Sequence, residues 1–571
     1  MDTQDRTRGE MPAPGTTTTS GNEGGRLRGR TRFKYGFLAG LAAGIIASGA
    51  MLLGSTVFGG ISLPEEFGSE ITALMPPTMF AYLHQLIGGD AKFYLFAIIL
   101  VGQCFVFALS GGLYNLALAS RIITARTGTR LDWLDGVALA FILWLLTGFL
   151  LLPATGAGIF GAQTPVGLQN SMVSLGIVGL IFGLLFASFQ NWLAFGRGKR
   201  RASEEDEDEE TGFGLSRRAL LKRGFIIAGI GLLGVAAYRF ISEGGGTVSV
   251  PVGRLVQQFK SKIVPPPVPN YGAIQPVRGL SPEITSNDQF YIVSKNLFSD
   301  PTVNASSWNL IVDGEVEHPF SLTYRQVLAL PMKQQYESLE CISNDVGGPY
   351  MSNALWEGVP LSDLLQRATV KTGASKVVFY AADGYSDSIH LSKALEPTTL
   401  LAVRMNGATL PDGHGFPARM LVPGIYGMKH CKWLTRIEVV NTDYQGYWQQ
   451  RGWSDAAPVR LTSRIDTPLT GTTLPANRPA YIAGVAFSGD KGISEVDVSL
   501  DNGSTWQRAT LKRPYSNLTW VLWELPWTPT PGNHIIIVRA IDLEGNVQNP
   551  NPAPPLPNGS SGYHTISVSV S

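Results

Sequence analysis

Leu339-Glu340-Cys341-Ile342-Ser343-Asn344-Asp345-Val346-Gly347-Gly348 carries one of three cysteines in a chain of 571 residues. Thiolate is the soft ligand that soft or high-valent metals take. The small, polar, Gly-rich residues after Cys341 let backbone come close to a bound group. Free cysteine is also among the most buried residue types, so by itself the stretch reads first as a structural thiol. The rest of the chain decides between the two.

Net charge is +1, which carries no nucleic-acid or acidic-substrate signal. The length predicts several domains. Long apolar runs fill the first 242 residues, and the remainder reads as soluble and globular. Cys104 sits inside an apolar run, and neither Cys341 nor Cys431 shows a partner, so there is no disulfide framework. No C-x-x-C-H is present, hence no c-type haem attachment site.

Residues 1–34 are polar and read as a disordered cytoplasmic tail. Apolar segments at 35–63, 93–120, 133–156 and 171–195 each exceed the roughly 20 residues a helix needs to cross a bilayer. They make 35–196 a four-helix transmembrane region, and a shorter fifth segment occupies 225–242. Arg26, Arg28, Arg30, Arg32 and Lys34, then Arg121, Arg126 and Arg130, then Arg197, Lys199, Arg200 and Arg201 fall in alternate loops. The positive-inside rule therefore puts the N-terminus in the cytoplasm and everything after Glu243 outside the cytoplasmic membrane. Gly36, Gly40 and Gly44 share one helix face, which suits either close helix packing or a Gly-rich span of no special role. His84 is the one histidine before residue 300, so two histidines for a haem between these helices are missing, and His84 reads as interfacial.

The linker 197–224 holds an acidic run, 204–210, read as solvated, and then Ser216-Arg217-Arg218-Ala219-Leu220-Leu221-Lys222. Paired arginines before a short, Gly-containing apolar run resemble a twin-arginine export signal, which carries folded cargo; the alternative is a plain positive anchor. No A-x-A site follows, so the fifth segment is expected to stay as an anchor. A Gly- and Pro-rich tether covers 243–274.

From Tyr271 strand-like runs at 308–312, 376–381, 399–405 and 418–422 alternate with short amphipathic helices, which points to α+β with a loop-built site. After residue 458 alternation in 494–500, the turn Asp501-Asn502-Gly503 and the run 535–540 predict an immunoglobulin-like sandwich.

Five further blocks accompany the cysteine stretch. They are Phe290-Tyr291-Ile292-Val293-Ser294-Lys295-Asn296, Ala382-Asp383-Gly384-Tyr385, Met405-Asn406-Gly407, His414-Gly415-Phe416-Pro417-Ala418-Arg419 and Pro423-Gly424-Ile425-Tyr426-Gly427-Met428-Lys429-His430-Cys431-Lys432-Trp433-Leu434. In this order they resemble the molybdopterin domain of the sulfite oxidase family, over about 275–455. The segment 458–571, through V-x-x-S-x-D-N-G-x-x-W and R-A-x-D-x-x-G-N, is similar to the dimerisation domain of that family.

The apolar runs and the resemblance together imply a multi-domain fold: an N-terminal α-helical transmembrane bundle from the runs, then an α+β sulfite-oxidase-like molybdopterin domain at 275–457 and a C-terminal all-β immunoglobulin-like sandwich from the resemblance. It implies a molybdenum–molybdopterin cofactor with Cys341 as metal ligand. His414, Arg419, Lys429 and Lys432 are implied to grip the pterin and its phosphate, with Lys295, Asn296, Asn344 and Asp383 also toward the cofactor. Arg and Lys suit that task, because phosphate needs fixed cationic donors. Tyr385 and Arg451 are implied at the reacting centre, and Cys431 reads as core.

The sequence departs from the family where sulfite oxidases place arginines around the substrate anion. Asp345-Val346-Gly347-Gly348 supplies none, the early R-N-H block reads Ser294-Lys295-Asn296, and near Tyr447 one basic residue, Arg451, survives. Weak sulfite binding is therefore expected. Three functions follow: an extracytoplasmic oxo-transfer oxidoreductase; a reductase of S-oxides such as oxidised methionine; or a non-catalytic adhesion protein using the sandwich. An enzyme of this kind needs an external electron carrier, a haem protein or a quinone-linked one. The sandwich serves either as a homodimer interface or as a buttress for the molybdopterin domain.

Overall fold

The computed structural model describes residues 23–76, 79, 82, 91–119, 133–164, 166–195, 277–296 and 300–571. The twin arginines, the acidic run, the fifth apolar segment, the tether and His84 lie outside the described residues. The chain divides into two compact units, Met1–Pro64 with Ala97–Ser242, and Glu65–Phe96 with Glu243–Ser571.

Four helices are long and apolar enough to cross a membrane, at Arg32–Thr56, Tyr94–Ala117, Trp133–Ala154 and Leu168–Leu193. They belong to α1 (Glu23–Phe58), α3 (Ala91–Ala119), α4 (Trp133–Leu146, prolonged by a π-turn) and α5 (Leu168–Phe195). Helix α1 starts at Glu23, inside the tail expected to be disordered. Its Arg and Leu residues are good helix formers and prolong the span that follows. The glycine stripe has a packing role. A Cβ at Gly40 would stand 2.5 Å from the Phe107 carbonyl oxygen, and one at Gly44 2.6 Å from Phe107 Cβ, so α1 and α3 approach at backbone distance.

Between α1 and α3 lies α2 (Leu63–Leu74), with Glu65 and Glu66 in its first turn. From Glu65 onward it belongs to the second unit, although the expected transmembrane region 35–196 contained it. Its acidic residues make it too polar to extend a span.

In the second unit one mixed sheet runs β2–β1–β10–β5–β6, built from β1 (Asn309–Gly314), β2 (Phe320–Thr323), β5 (Lys376–Ala381), β6 (Ser386–His390) and β10 (Leu434–Val440). The other runs β3–β4–β7–β8, from β3 (Lys333–Glu340), β4 (Met351–Pro360), β7 (Leu400–Met405) and β8 (Ala408–Thr409), with β9 (Arg419–Leu421) added on β7. Leu310, Val312, Trp356, Phe379, Leu400 and Ile437 belong to the core they share. All ten residues of β4 are buried, because the strand is central in its sheet and covered on both faces.

Residues 462–570 form two further sheets, of four and five strands, around a core that includes Ile482, Val496, Trp523, Val538 and Ile566. This sandwich shares interior with the sheet β3–β4. Met351 clusters with Val485, Phe487, Trp520 and Leu522, and buried Glu283 pairs with buried Lys512. Trp520 Nε1 donates to the Glu283 carbonyl at 3.1 Å, and its backbone N–H donates to Ser338 Oγ at 2.8 Å. The sandwich is therefore a buttress, whatever else it does.

Candidate active site

Cys341 sits where β3 ends. The antiparallel pairing brings Glu340 opposite Met351, Cys341 donates its backbone N–H to Tyr350 O at 3.0 Å, and the ten-residue stretch closes the connection to β4. Asn344 locks this loop from inside: Nδ2 donates to Glu340 Oε1 at 2.9 Å and Oδ1 accepts from Tyr350 N at 2.9 Å. Ser343 Oγ lies 3.0 Å from Cys341 Sγ. The loop's outer side leans on the sandwich. A Cβ on Gly347 would enter the His564 ring, and Arg464 Nη1 donates to Gly348 O at 2.8 Å.

Cys341 forms part of the wall of a cleft with about 810 Å³ of empty space, partly open to solvent. Arg419, at the start of β9, spans one side. Its Nη1 donates to His414 O at 3.2 Å and Nη2 to His430 O at 3.3 Å, and the guanidinium lies 5.2 Å from the Trp356 ring. Its Nε is buried with no protein partner. The His414 turn comes close because Gly415 takes φ +107°, where a Cβ would stand 2.9 Å from Lys432 Cβ. Lys432 donates to Gly413 O at 3.0 Å and lies 4.2 Å from the Trp433 ring. The same wall includes Lys295, Asp383, Tyr385, Trp448 and Trp453. Lys295 Nζ is 3.8 Å from Asp383 Oδ2, and Trp448 stacks on Trp453 at 4.1 Å.

The structure thus brings together Cys341, His414, Arg419, Lys432, Lys295, Asp383 and Tyr385. Four expected residues stand off the wall. Asn344 spends both ends of its amide on the loop. Asn296 accepts from Lys295 and donates to Asp300. Lys429 is buried, with its ammonium on Asp387 Oδ1 (3.0 Å), Asp455 Oδ1 (2.9 Å) and Ser388 O (2.8 Å), so all three N–H donors are used. Arg451 lies 3.5 Å over the Tyr447 ring, one layer behind the cleft. Asp345, in the segment that supplies no arginine, is exposed and outside the wall, because the loop turns it outward. Cys431, read as core, is buried but also reaches the wall.

Burial dominates the electrostatics. It raises the Cys341 thiol, against the pull of the Ser343 hydrogen bond. It lifts the Glu340 carboxyl to about 7 and Glu337 to about 8. It drops His414 to about 4, and the carbonyl of Asn287, 2.9 Å from Nε2, accepts that nitrogen's proton. His414 is therefore neutral at pH 7, with Nδ1 as an acceptor. Arg419 falls to about 10 and stays charged. Tyr385 is held well above its ordinary value by burial and by Asp387, and its O–H lies 2.8 Å from both Asp387 Oδ2 and Met428 O. It is a protonated phenol whose hydrogen is already committed inward.

Residues 298–448 match the family described as oxidoreductase molybdopterin binding domain, and residues 457–556 the Mo-co oxidoreductase dimerisation domain. Among curated proteins, "Sulfite oxidase, mitochondrial" of Rattus norvegicus is 30% identical over 340 residues, covering 50% of this chain and 62% of its own. "Sulfite oxidase" of Gallus gallus is 30% identical over 322 residues, 48% of this chain and 69% of its own.

The chain belongs to the sulfite oxidase family.

It spans 62% of the length of the rat relative. A solved structure, the sulfane dehydrogenase SoxCD from Paracoccus pantotrophus, aligns with 57% of this chain and 92% of its own at 22% identity and a TM-score of 0.44.

The molybdenum cofactor of a sulfite oxidase family member fits the residues present. One thiol suits the metal, the buried Arg419 Nε lacks a protein partner, and Lys432 adds a second cation on the wall. Neutral His414 offers an acceptor, which suits a pterin N–H better than a phosphate oxygen. The sequence reading overlooked Tyr291, Trp448 and Trp453 on the wall. Tyr291 lay inside a quoted block. The two tryptophans had only their aromatic pair as a signal, and that signal acquires meaning once Gly452, at φ +82°, turns the chain between them.

Proposed function

We propose that this chain is a membrane-anchored molybdopterin-dependent oxidoreductase with its cleft outside the cytoplasmic membrane. The observation that carries the reading is the Cys341 thiol in one cleft with Arg419, Lys432 and His414. When bound, the molybdenum cofactor supplies a two-electron couple for oxygen-atom transfer. Cys341 holds the metal, and Arg419 and Lys432 neutralise and orient the pterin phosphate. Neutral His414 accepts from the pterin, and Trp448 and Trp453 exclude water from one flank of the cleft. Tyr385 stands on the wall as a protonated phenol whose hydrogen is shared between Asp387 and the Met428 carbonyl. Electrons pass to or from an external carrier, a haem protein or a quinone-linked one. The dimerisation-type sandwich supports a homodimer.

A second reading, reduction of neutral S-oxides, is favoured by the charge of the cleft. Of its three cations, Lys295 lies 3.8 Å from Asp383 and Lys432 3.9 Å from Asp300, so two are already balanced by carboxylates. Purified full chain should contain about one molybdenum and, with redox dyes, turn over a methionine sulfoxide-type substrate or show only millimolar saturation by sulfite. Micromolar saturation by sulfite with fast turnover would establish an ordinary sulfite dehydrogenase instead. A molybdenum-free protein would leave adhesion as the surviving reading.

The outside location is supported by the alternation of basic loops and by Arg217-Arg218 before the fifth apolar segment. Changing both arginines to Lys keeps the charge and spoils the export motif. Surface protease accessibility of the C-terminal half is expected to be lost in that variant; normal accessibility would reduce the pair to an anchor.

A further inference from the structure

We propose that α2 is a substrate-charge filter for this cleft: Ser69 fixes the helix to Tyr447, and Glu66, on the same helix face, counters Lys295 on the cleft wall. It rests on the cleft being the substrate site. Ser69 Oγ lies 3.3 Å from the Tyr447 hydroxyl. Tyr447 is a junction: the Lys295 ammonium stands 5.5 Å from its ring, Arg451 3.5 Å over it, and the cleft residue Tyr385 at 5.8 Å. Glu66 precedes Ser69 by three positions, so the two side chains share one face of α2.

Electrostatics agrees with that placement. Burial pushes the half-buried Glu66 carboxyl up to about 7, Lys295 pulls it down, and Glu65 and Glu70 push it up. Lys295 on the wall thus has two carboxyl groups to answer, Asp383 at 3.8 Å and, above about pH 7 where it ionises, Glu66 from α2. An incoming dianion meets a cation already compensated and a helix that adds negative charge. A neutral substrate meets neither penalty. The filter belongs to a segment lying between two apolar spans in sequence, far from every block that carries the family resemblance.

The test is sulfate binding, which needs no turnover, followed by tryptophan fluorescence, to which Trp448 and Trp453 on the wall contribute. In the detergent-solubilised full chain at about pH 8, where Glu66 is ionised, Glu66→Gln should tighten sulfate about fivefold, the scale of removing one charge from a partly solvated site. The gain should be smaller in a Lys295→Gln background, where only the direct repulsion between Glu66 and sulfate is left to remove. A Glu66→Gln chain within twofold of the unaltered one, an equal gain with and without Lys295, or no sulfate response in any variant would overturn the proposal. Loss of molybdenum or of turnover would instead overturn the reading of the activity, and sulfate binding stays measurable either way.

Discussion

Cys341→Ser is expected to lower dye-linked turnover by more than about a hundredfold, beyond what loss of an outer partner of a metal ligand costs. Serine is harder than thiolate and far less acidic, so it replaces the soft ligand assigned to the metal with a poor one. The substitution is nearly isosteric, and the loop does not depend on the sulfur: Asn344 and the Cys341 backbone N–H hold it closed. The protein should therefore fold and keep pterin on Arg419 and Lys432, while its metal content or metal spectrum changes. Full turnover by the serine variant would remove Cys341 from the metal. The Cys431→Ser variant serves as the comparison, because that thiol also reaches the wall. It is expected to retain most activity, and a loss equal to that of Cys341→Ser would exchange the two assignments.

Lys429→Met is expected to destabilise the catalytic unit by about 3–5 kcal/mol, the cost of stranding a buried charge. Asp387 is fully buried, and burial outweighs the pull of Lys429 and leaves its carboxyl above the ordinary range. Without the ammonium, that carboxyl keeps Tyr385 and the Ser388 N–H but loses its counter-ion. An unfolding midpoint lower by roughly 10 °C is the corresponding scale for a domain of this size. Lys429→Met combined with Asp387→Asn should recover part of the loss, since both charges then go together. The family resemblance implies a different outcome, with Lys429 on the cofactor: molybdopterin lost at unchanged stability. Thermal melts and pterin content of the same preparations separate the two.

The elements that were legible in the sequence are those with one face and one period. The four apolar helices and strands such as Lys376–Ala381 declare themselves by hydrophobic runs. Strands β3 and β4, which present Cys341, were not legible. Lys333–Glu340 is largely polar, and Met351–Pro360 mixes Ser, Asn and Glu into a buried strand. Their polar groups reach distant partners, as Asn353 Nδ2 does in the Glu283 carbonyl and Glu357 in Arg404, while the buried Asn353 Oδ1 has no hydrogen-bond partner among the described residues. Residue types also identified the cleft better than they identified roles. Lys429 and Lys432 lie three positions apart in one motif, yet a short 3₁₀ turn at Gly427–Lys429 sends the first into an ion network and leaves the second on the wall. Nothing in the local pattern could distinguish them, because the deciding carboxylates, Asp387 and Asp455, come from elsewhere in the chain.

The contact of Gly347 with His564 bears on how such a protein can be inherited or rebuilt. The imidazole holds the start of its own domain as well, its Nδ1 accepting from Ile465 N at 2.9 Å. A cut between residues 457 and 458 would therefore not release a working module. It would strip the roof from the loop that presents the thiol and expose Met351 and Ile342 to water. Recombination that exchanged the C-terminal sandwich would have to exchange the cysteine loop with it, so the two segments form a single cassette despite lying more than a hundred residues apart.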